Sequence, residues 1–290
     1  MMLYEYALQP FVDYGFMRRA LAACAALAVG GAPLGVFLVL RRMALAGDAM
    51  SHAILPGVSL AFLCFGLSLE AMTLGGLLAG LAVAFAAGAV TRLTPLKEDA
   101  SFTGTYLLSL AAGVLIISVH GSSIDLMHVL FGNVLAVGRE SLLLVTSIAT
   151  VSLLTLAAMY RSLIVECFDP GYLRAAGGNG AAMHQLFLGL VVLNLVAAFQ
   201  ALGTLMALGI MVLPAIASRL WSRDIDGAIA LSIFFGLCSA TIGLLLSYHY
   251  GLPSGPAIVL VAGLLYVISV LFGRQGGIAG RFFRERHYAA

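Results

Sequence analysis

Only 10% of the 290 residues are charged, and lysine occurs once, at Lys97. A phosphate loop of the GxxxxGK[ST] type needs a lysine preceded by glycine, so that backbone N–H groups and an ammonium cradle the phosphates together. Lys97 follows Pro95 and Leu96; the loop is absent, and any ATP-driven role requires a separate subunit. An HExxH pair, a GxSxG elbow and a CxxC pair are missing too, which removes zinc-protease, nucleophile-elbow and paired-thiol chemistry. No catalytic set remains, and the chain is read as not an enzyme. The four cysteines, Cys24, Cys64, Cys167 and Cys238, stand apart, three of them inside apolar runs, and are read as packing residues. A net charge of +2, spread over short clusters, argues against a nucleic-acid partner. The N-terminal MMLYEYALQPFVDY carries Glu5 and Asp13 but no basic segment or Ala-x-Ala site, so it is not expected to be a cleaved signal peptide.

What is present is hydrophobic sequence. The chain is 62% hydrophobic with a mean hydropathy of +1.06, far above the roughly 45–50% apolar content of a soluble globular domain. Apolar runs lie near 17–40, 48–67, 70–92, 101–119, 140–160, 184–200, 203–219, 227–247 and 256–273. Their lengths suit helices crossing a hydrocarbon core about 30 Å thick, and they lack the polar–apolar alternation of a membrane barrel. The segment GSSIDLMHVLFGNVLAVG, 121–138, is apolar but short and glycine-interrupted, and reads as a re-entrant or interfacial helix. The expected fold is an all-α integral membrane protein. It is a polytopic bundle of about eight to nine transmembrane helices, forming a single transmembrane domain over 1–290.

The basic residues orient the bundle, because cytoplasmic loops are enriched in Lys and Arg. With nine spans and a cytoplasmic C-terminus, Arg18, Arg19 and Arg139 fall outside and the other twelve of fifteen basic residues fall inside. The tail 274–290 then reads as a solvated cytoplasmic end. The longest polar inner loop, 161–183, contains FDPGYLRAAGG, which favours a short helix near 170–176 closed by Gly177 and Gly178. Such a helix lying along the inner surface is a candidate docking element for a soluble partner, or an ordinary loop.

One stretch breaks the apolar pattern, GDAMSHAILPG at 47–57. A carboxylate in the bilayer interior costs about 2.5–3.5 kcal/mol on insertion scales, so it persists where it faces protein, water or a partner. Asp48 precedes His52 by one helical turn, and residues at i, i+4 share a face. An oxygen and an imidazole nitrogen converging there suit Mn, Fe or Zn. Pro56 cannot donate to the carbonyl of His52 and bends the helix at that point. Two alternatives stay open: Asp48 caps the start of the second span, or His52 bonds a neighbouring helix. On the external side, Asp125 and His128 at i, i+3, with His120 and His249 nearby, are candidate ligands at the outer mouth, or ordinary loop residues.

The segments LRRMALAGDAMSHAILPGVSLAFL, SIDLMHVLFGNVL, FDPGYLRAAG, ALGTLMALGIMVLPAIASRLW and YGLPSGPAIVLVAGLLYVISVLFG resemble the ABC-3 family. This family comprises the membrane permease subunits of manganese, zinc and iron ABC transporters. The resemblance covers roughly 16–273. It implies an all-helical permease that pairs with a second permease chain, identical or homologous. It also implies cytoplasmic ABC ATPase subunits and an extracytoplasmic metal-binding protein as partners, within a bacterial inner membrane. Asp48 and His52 match the family's metal-pathway positions in GDxxSHxxxPG. Asp169, Pro170, Arg174, Ala175, Ala176 and Gly177 match its ATPase-coupling segment. No stably bound cofactor is expected, the divalent ion being cargo. A proton-coupled secondary metal transporter is the alternative, with Asp48 and His52 relaying protons. An intramembrane enzyme built on Asp48, Ser51 and His52 is disfavoured, since near neighbours on one helix do not converge as a triad.

Overall fold

A computed structural model describes residues 8–66, 68–119, 134–175 and 177–278. Among them the structure is entirely helical: α1 Gln9–Asp13, α2 Gly15–Leu40, α3 Ala44–Ala53, α4 Leu55–Phe65, α5 Leu69–Leu93 and α6 Glu98–Val119. A short 3-10 turn at Val134–Ala136 precedes α7 Arg139–Phe168, α8 Pro170–Ala175, α9 Gly180–Leu202, α10 Thr204–Arg219, α11 Ile225–Tyr250 and α12 Ser254–Phe272.

Eight segments are long and apolar enough to cross a membrane, with α3 and α4 counted as one. The ninth expected crossing is α10, which at 16 residues spans only about 24 Å at 1.5 Å per residue. The contacts between helix ends decide its role. Arg41, just after α2, reaches Cys167 near the end of α7, and Tyr160 of α7 donates a hydrogen bond to Asp226 in the first turn of α11. His184 at the start of α9 also touches Arg41. The start of α9 and the start of α11 therefore lie at one end of the bundle, and α10 must run back between them. At the other end Tyr14, ahead of α2, packs on Tyr248 near the end of α11, with ring centroids 5.6 Å apart.

Helix α2 is the hub, packed against α7, α10 and α11, while α9 lies between α7 and α5. Both are buried over most of their length, and their uniformly apolar sequence follows from contact on all sides. The helices α3 to α6 form a second group. Here α4 and α5 cross at Gly57 and Gly75, where a Cβ on either would collide with the other's carbonyl oxygen, so only glycine permits this approach.

Helix ends follow their capping residues. The hydroxyl of Ser68 accepts from Ala71 N–H at 3.4 Å to start α5, and the side-chain oxygen of Asn179 accepts from Ala182 N–H at 3.1 Å to start α9, each satisfying an otherwise unpaired first-turn donor. Helix α7, at 30 residues, continues well past the expected span of 140–160. The first third of the expected inner loop is therefore helical, about 45 Å of rod being more than a bilayer core requires.

Candidate functional site

Helix α3 turns one face to the core and the other outward. Ala46, Gly47, Ala49 and Met50 are buried, and Gly47 lies close to Leu38, Leu208 and Met211. Asp48 and His52 occupy the opposite face, 48% and 37% exposed, with Oδ1 and Nε2 3.7 Å apart. This separation exceeds a hydrogen bond. It suits two donors that share an ion: a metal about 2.1 Å from each would subtend an angle near 120°. The ring of His52 stacks on Tyr106 of α6, with centroids 6.4 Å apart and planes at 29°, which restrains the imidazole.

One expectation about this segment is corrected. Helix α3 begins at Ala44 with Met43 at its N-cap, so Asp48 sits in the second turn and does not cap a span. The break falls at Ile54, where α3 passes into α4 just ahead of Pro56. The nearest N–H to the His52 carbonyl is that of Ile54, two residues on, a pairing too close in the chain to align as a helical hydrogen bond. The break leaves the carbonyl of Ala53, and the hydroxyl of Ser109 on α6 donates to it at 3.3 Å. Tyr106 and Ser109, one turn apart on α6, thus support the break from outside, and the sequence pattern of α3 carries no sign of either.

Among the described residues no group of three or more His, Cys, Asp and Glu is arranged to hold a metal; Asp48 and His52 stand as a pair. Asp125, His128 and His120 lie outside the described residues. His249 lies in the last turn of α11, with its ring against Tyr248 at 5.2 Å.

A second polar cluster gathers at the end of the bundle where α2 and α7 finish and α9 begins. Arg41 Nη1 lies 2.6 Å from His184 Nδ1, Arg41 Nε donates to Cys167 Sγ at 3.2 Å, and the guanidinium rests over Phe187 at 5.2 Å. His184 Nε2 lies 2.8 Å from Glu98 Oε1. Because arginine only donates, Nδ1 must be the accepting nitrogen and Nε2 carries the proton toward Glu98. Arg41, Arg42, Glu98, Glu166, Cys167 and His184 border a cavity of about 350 Å³. In the sequence Arg41 signals only orientation, and the start of α9 gives no reason to single out His184.

The segment after α7 forms the short helix expected there. Asp169 Oδ1 accepts from Tyr172 N–H at 2.8 Å, α8 runs from Pro170 to Ala175, and Gly178 N–H returns to the Leu173 carbonyl at 2.8 Å. Gly177 adopts φ 78°, the left-handed C′ conformation that glycine accepts without strain. Ala176 lies outside the described residues. Phe168 and Tyr172 are both exposed beside this helix.

Residues 13–273 match the ABC 3 transport family. The manganese transport system membrane protein MntC of Listeria innocua serovar 6a is 34% identical over 271 residues, covering 93% of this chain and 95% of its own. The chelated iron transport system membrane protein YfeD of Yersinia pestis is 31% identical over 280 residues, covering 97% and 93%. The solved structure of PsaBC from Streptococcus pneumoniae in complex with Fab superposes with a TM-score of 0.83 at 30% identity, covering 99% of this chain and all of that one. With its helical membrane bundle and matches along nearly its whole length, the chain belongs to the ABC 3 transport family.

Proposed function

We propose that this chain is the transmembrane permease subunit of an ATP-binding-cassette importer of divalent transition-metal ions, Mn²⁺, Zn²⁺ or Fe²⁺, in a bacterial inner membrane. The observation that carries the reading is the Asp48–His52 pair, half-exposed on the outer face of an apolar helix. A carboxylate there would be costly against lipid, and a divalent ion together with a second protein surface removes the cost. Oxygen and nitrogen donors favour these transition metals over alkali ions. Two ligands with an incomplete shell allow an ion to be bound and then released, as conduction requires.

The remaining ligands come from a second permease chain, water, or the outer segment containing Asp125 and His128. The second chain, identical or homologous, completes the path by facing α3 across it. Cytoplasmic ATPase subunits dock on α8, where Asp169 fixes the first turn and Pro170, Arg174, Ala175, Ala176 and Gly177 make up the rest of the coupling segment. An extracytoplasmic metal-binding protein delivers the ion. No cofactor is held; the metal is the substrate. The relatives named for manganese and chelated iron transport support this reading, which leaves a proton-coupled carrier acting alone without comparable support.

The test is uptake of radioactive manganese, zinc and iron in cells lacking their own systems, comparing wild type with Asp48→Ala and His52→Ala at equal membrane levels. Loss of uptake in both variants, with assembly retained, is the expected result. Full uptake in both would overturn the site.

A further inference from the structure

The Arg41 cluster joins, through one side chain, the parts of the molecule that a driven permease must connect. Arg41 follows α2 and precedes α3, the helix that carries Asp48 and His52. Its contact His184 is bonded to Glu98, the first residue of α6. The same helix carries Tyr106 against His52 and Ser109 against the Ala53 carbonyl. On the opposite wall, Cys167 and Glu166 belong to the last turn of α7, immediately before Asp169 and the docking helix α8. A displacement of α8 therefore moves Glu166 and Cys167 directly, and the contacts made at this cavity connect them to the helices that bear on the Asp48–His52 pair.

The bonding in the cluster is lopsided. Arg41 uses Nε and Nη1, whereas among the described residues Nη2 is buried with no hydrogen-bond partner, and Glu166 Oε2 is likewise buried and unpartnered. Opposite charges thus line one cavity with spare bonding capacity on each. Buried polar atoms are rarely left unpaired, and each exception calls for a physical reason. A group that exchanges partners between two conformations supplies one: in either arrangement it satisfies one set of partners at the expense of another.

We propose that Arg41 is the positioning residue through which the docking helix acts on the Asp48–His52 site, its guanidinium leaving His184 for Glu166 in the alternate transport conformation. With Arg41 on His184, α6 is tied through Glu98 and His184 to Arg41 at the junction of α2 and α3. With Arg41 on Glu166, α6 is released from α2 and its Tyr106 and Ser109 are free to shift relative to His52 and Ala53. Arg41 touches no cargo; it selects which of two helix arrangements is stable. The inference rests on the importer reading given above.

The test uses the complete transporter in liposomes, with its ATPase, partner permease and binding protein, reading manganese moved per ATP hydrolysed. In Glu166→Gln that ratio is expected to fall at least about fivefold while ATP hydrolysis stays within about twofold, the size of an ordinary coupling free energy. Glu166→Asp, which keeps the carboxylate, should recover most of the ratio. An unchanged ratio, or equal losses of hydrolysis and uptake, would overturn the proposal. Should Glu166→Gln fail to assemble, Glu98→Gln must show the same uncoupling, and full coupling there is equally fatal. A wild-type complex that hydrolyses ATP but moves no manganese, zinc or iron would instead overturn the importer reading itself.

Discussion

The two halves of the bundle are packed on different terms. In α2 and α9, 72% of the apolar window is buried, against 17% in α6. Leu107, Leu108 and Leu115 of α6 are all at least half exposed. Both sets of helices are apolar enough for a membrane, so hydropathy does not distinguish them. What differs is what each touches: α2 and α9 meet protein on every side, whereas α6 covers α3 and α4 on one side only. The Asp48–His52 pair lies in the open half, and the Arg41–His184–Glu98 cluster lies where the two halves meet. In this bundle the closed half is packed on all sides, and the open half exposes the Asp48–His52 pair.

Changes that separate stability from transport would sharpen this contrast. The largest effect is expected from Gly35→Leu in the closed half. A Cβ there would overlap the Met211 carbonyl and lie 3.2 Å from the Ala215 Cβ, so the α2–α10 contact cannot form and overpacking costs exceed the usual ~1–3 kcal/mol. Monodisperse protein recovered by size exclusion in detergent should disappear, and a normal yield would show that α10 can move away.

Asp48→Ala in the open half should do the reverse. Uptake of metal is expected to fall at least about tenfold, the loss of one ligand from a site of few, with the melting midpoint unchanged or slightly raised because an exposed intramembrane charge is removed. A drop in melting midpoint matching the loss of uptake would place Asp48 among the structural residues. Pro56→Ala comes next. Restoring the N–H lets α3 and α4 move toward one continuous helix, and a several-fold slower uptake at unchanged expression is expected, read against Gly57→Leu, which should abolish folding by collision with Gly75.

The smallest effect belongs to the closed half. Asn194 is buried in α9, donating to Ser152 Oγ at 2.6 Å and to the Leu190 carbonyl at 2.9 Å. Interhelical hydrogen bonds of this kind average about 0.6 kcal/mol in membrane proteins. Ser152→Ala should therefore shift the unfolding midpoint only slightly and leave uptake per molecule untouched. A strong transport defect would mean that the packed half also moves during the cycle.

Much of this was legible in the chain itself. Asp48 and His52 could be paired from their spacing alone, because i, i+4 neighbours on a helix share a face whatever else the fold does. The short helix near 170–176 follows from Pro170 at a first-turn position and Gly177 at a left-handed one, both local constraints of φ. One reading failed at the start of a helix. Asp48 looked like a cap because the hydrophobic run starts beside it, yet the Met43-to-Ala46 turn extends the helix earlier. Pro56 marked the break through its missing N–H, but the support that Ser109 gives to the Ala53 carbonyl comes from a helix more than fifty positions away.

The sequence by itself determined the membrane class, the set of long apolar helices, the absence of a phosphate loop and the spacing of Asp48 and His52, since each depends on composition or on spacing within a turn or two. Only the tertiary structure decided that the short α10 packs among α2, α11 and α12, that Tyr106 braces His52, and that Arg41 joins His184, Cys167 and the rim containing Glu166. Those side-chain contacts link residues more than fifty positions apart, up to 143 for Arg41 and His184. They are set by how the helices cross and rotate about their axes, and in uniformly apolar helices no periodic signal in the chain records that rotation.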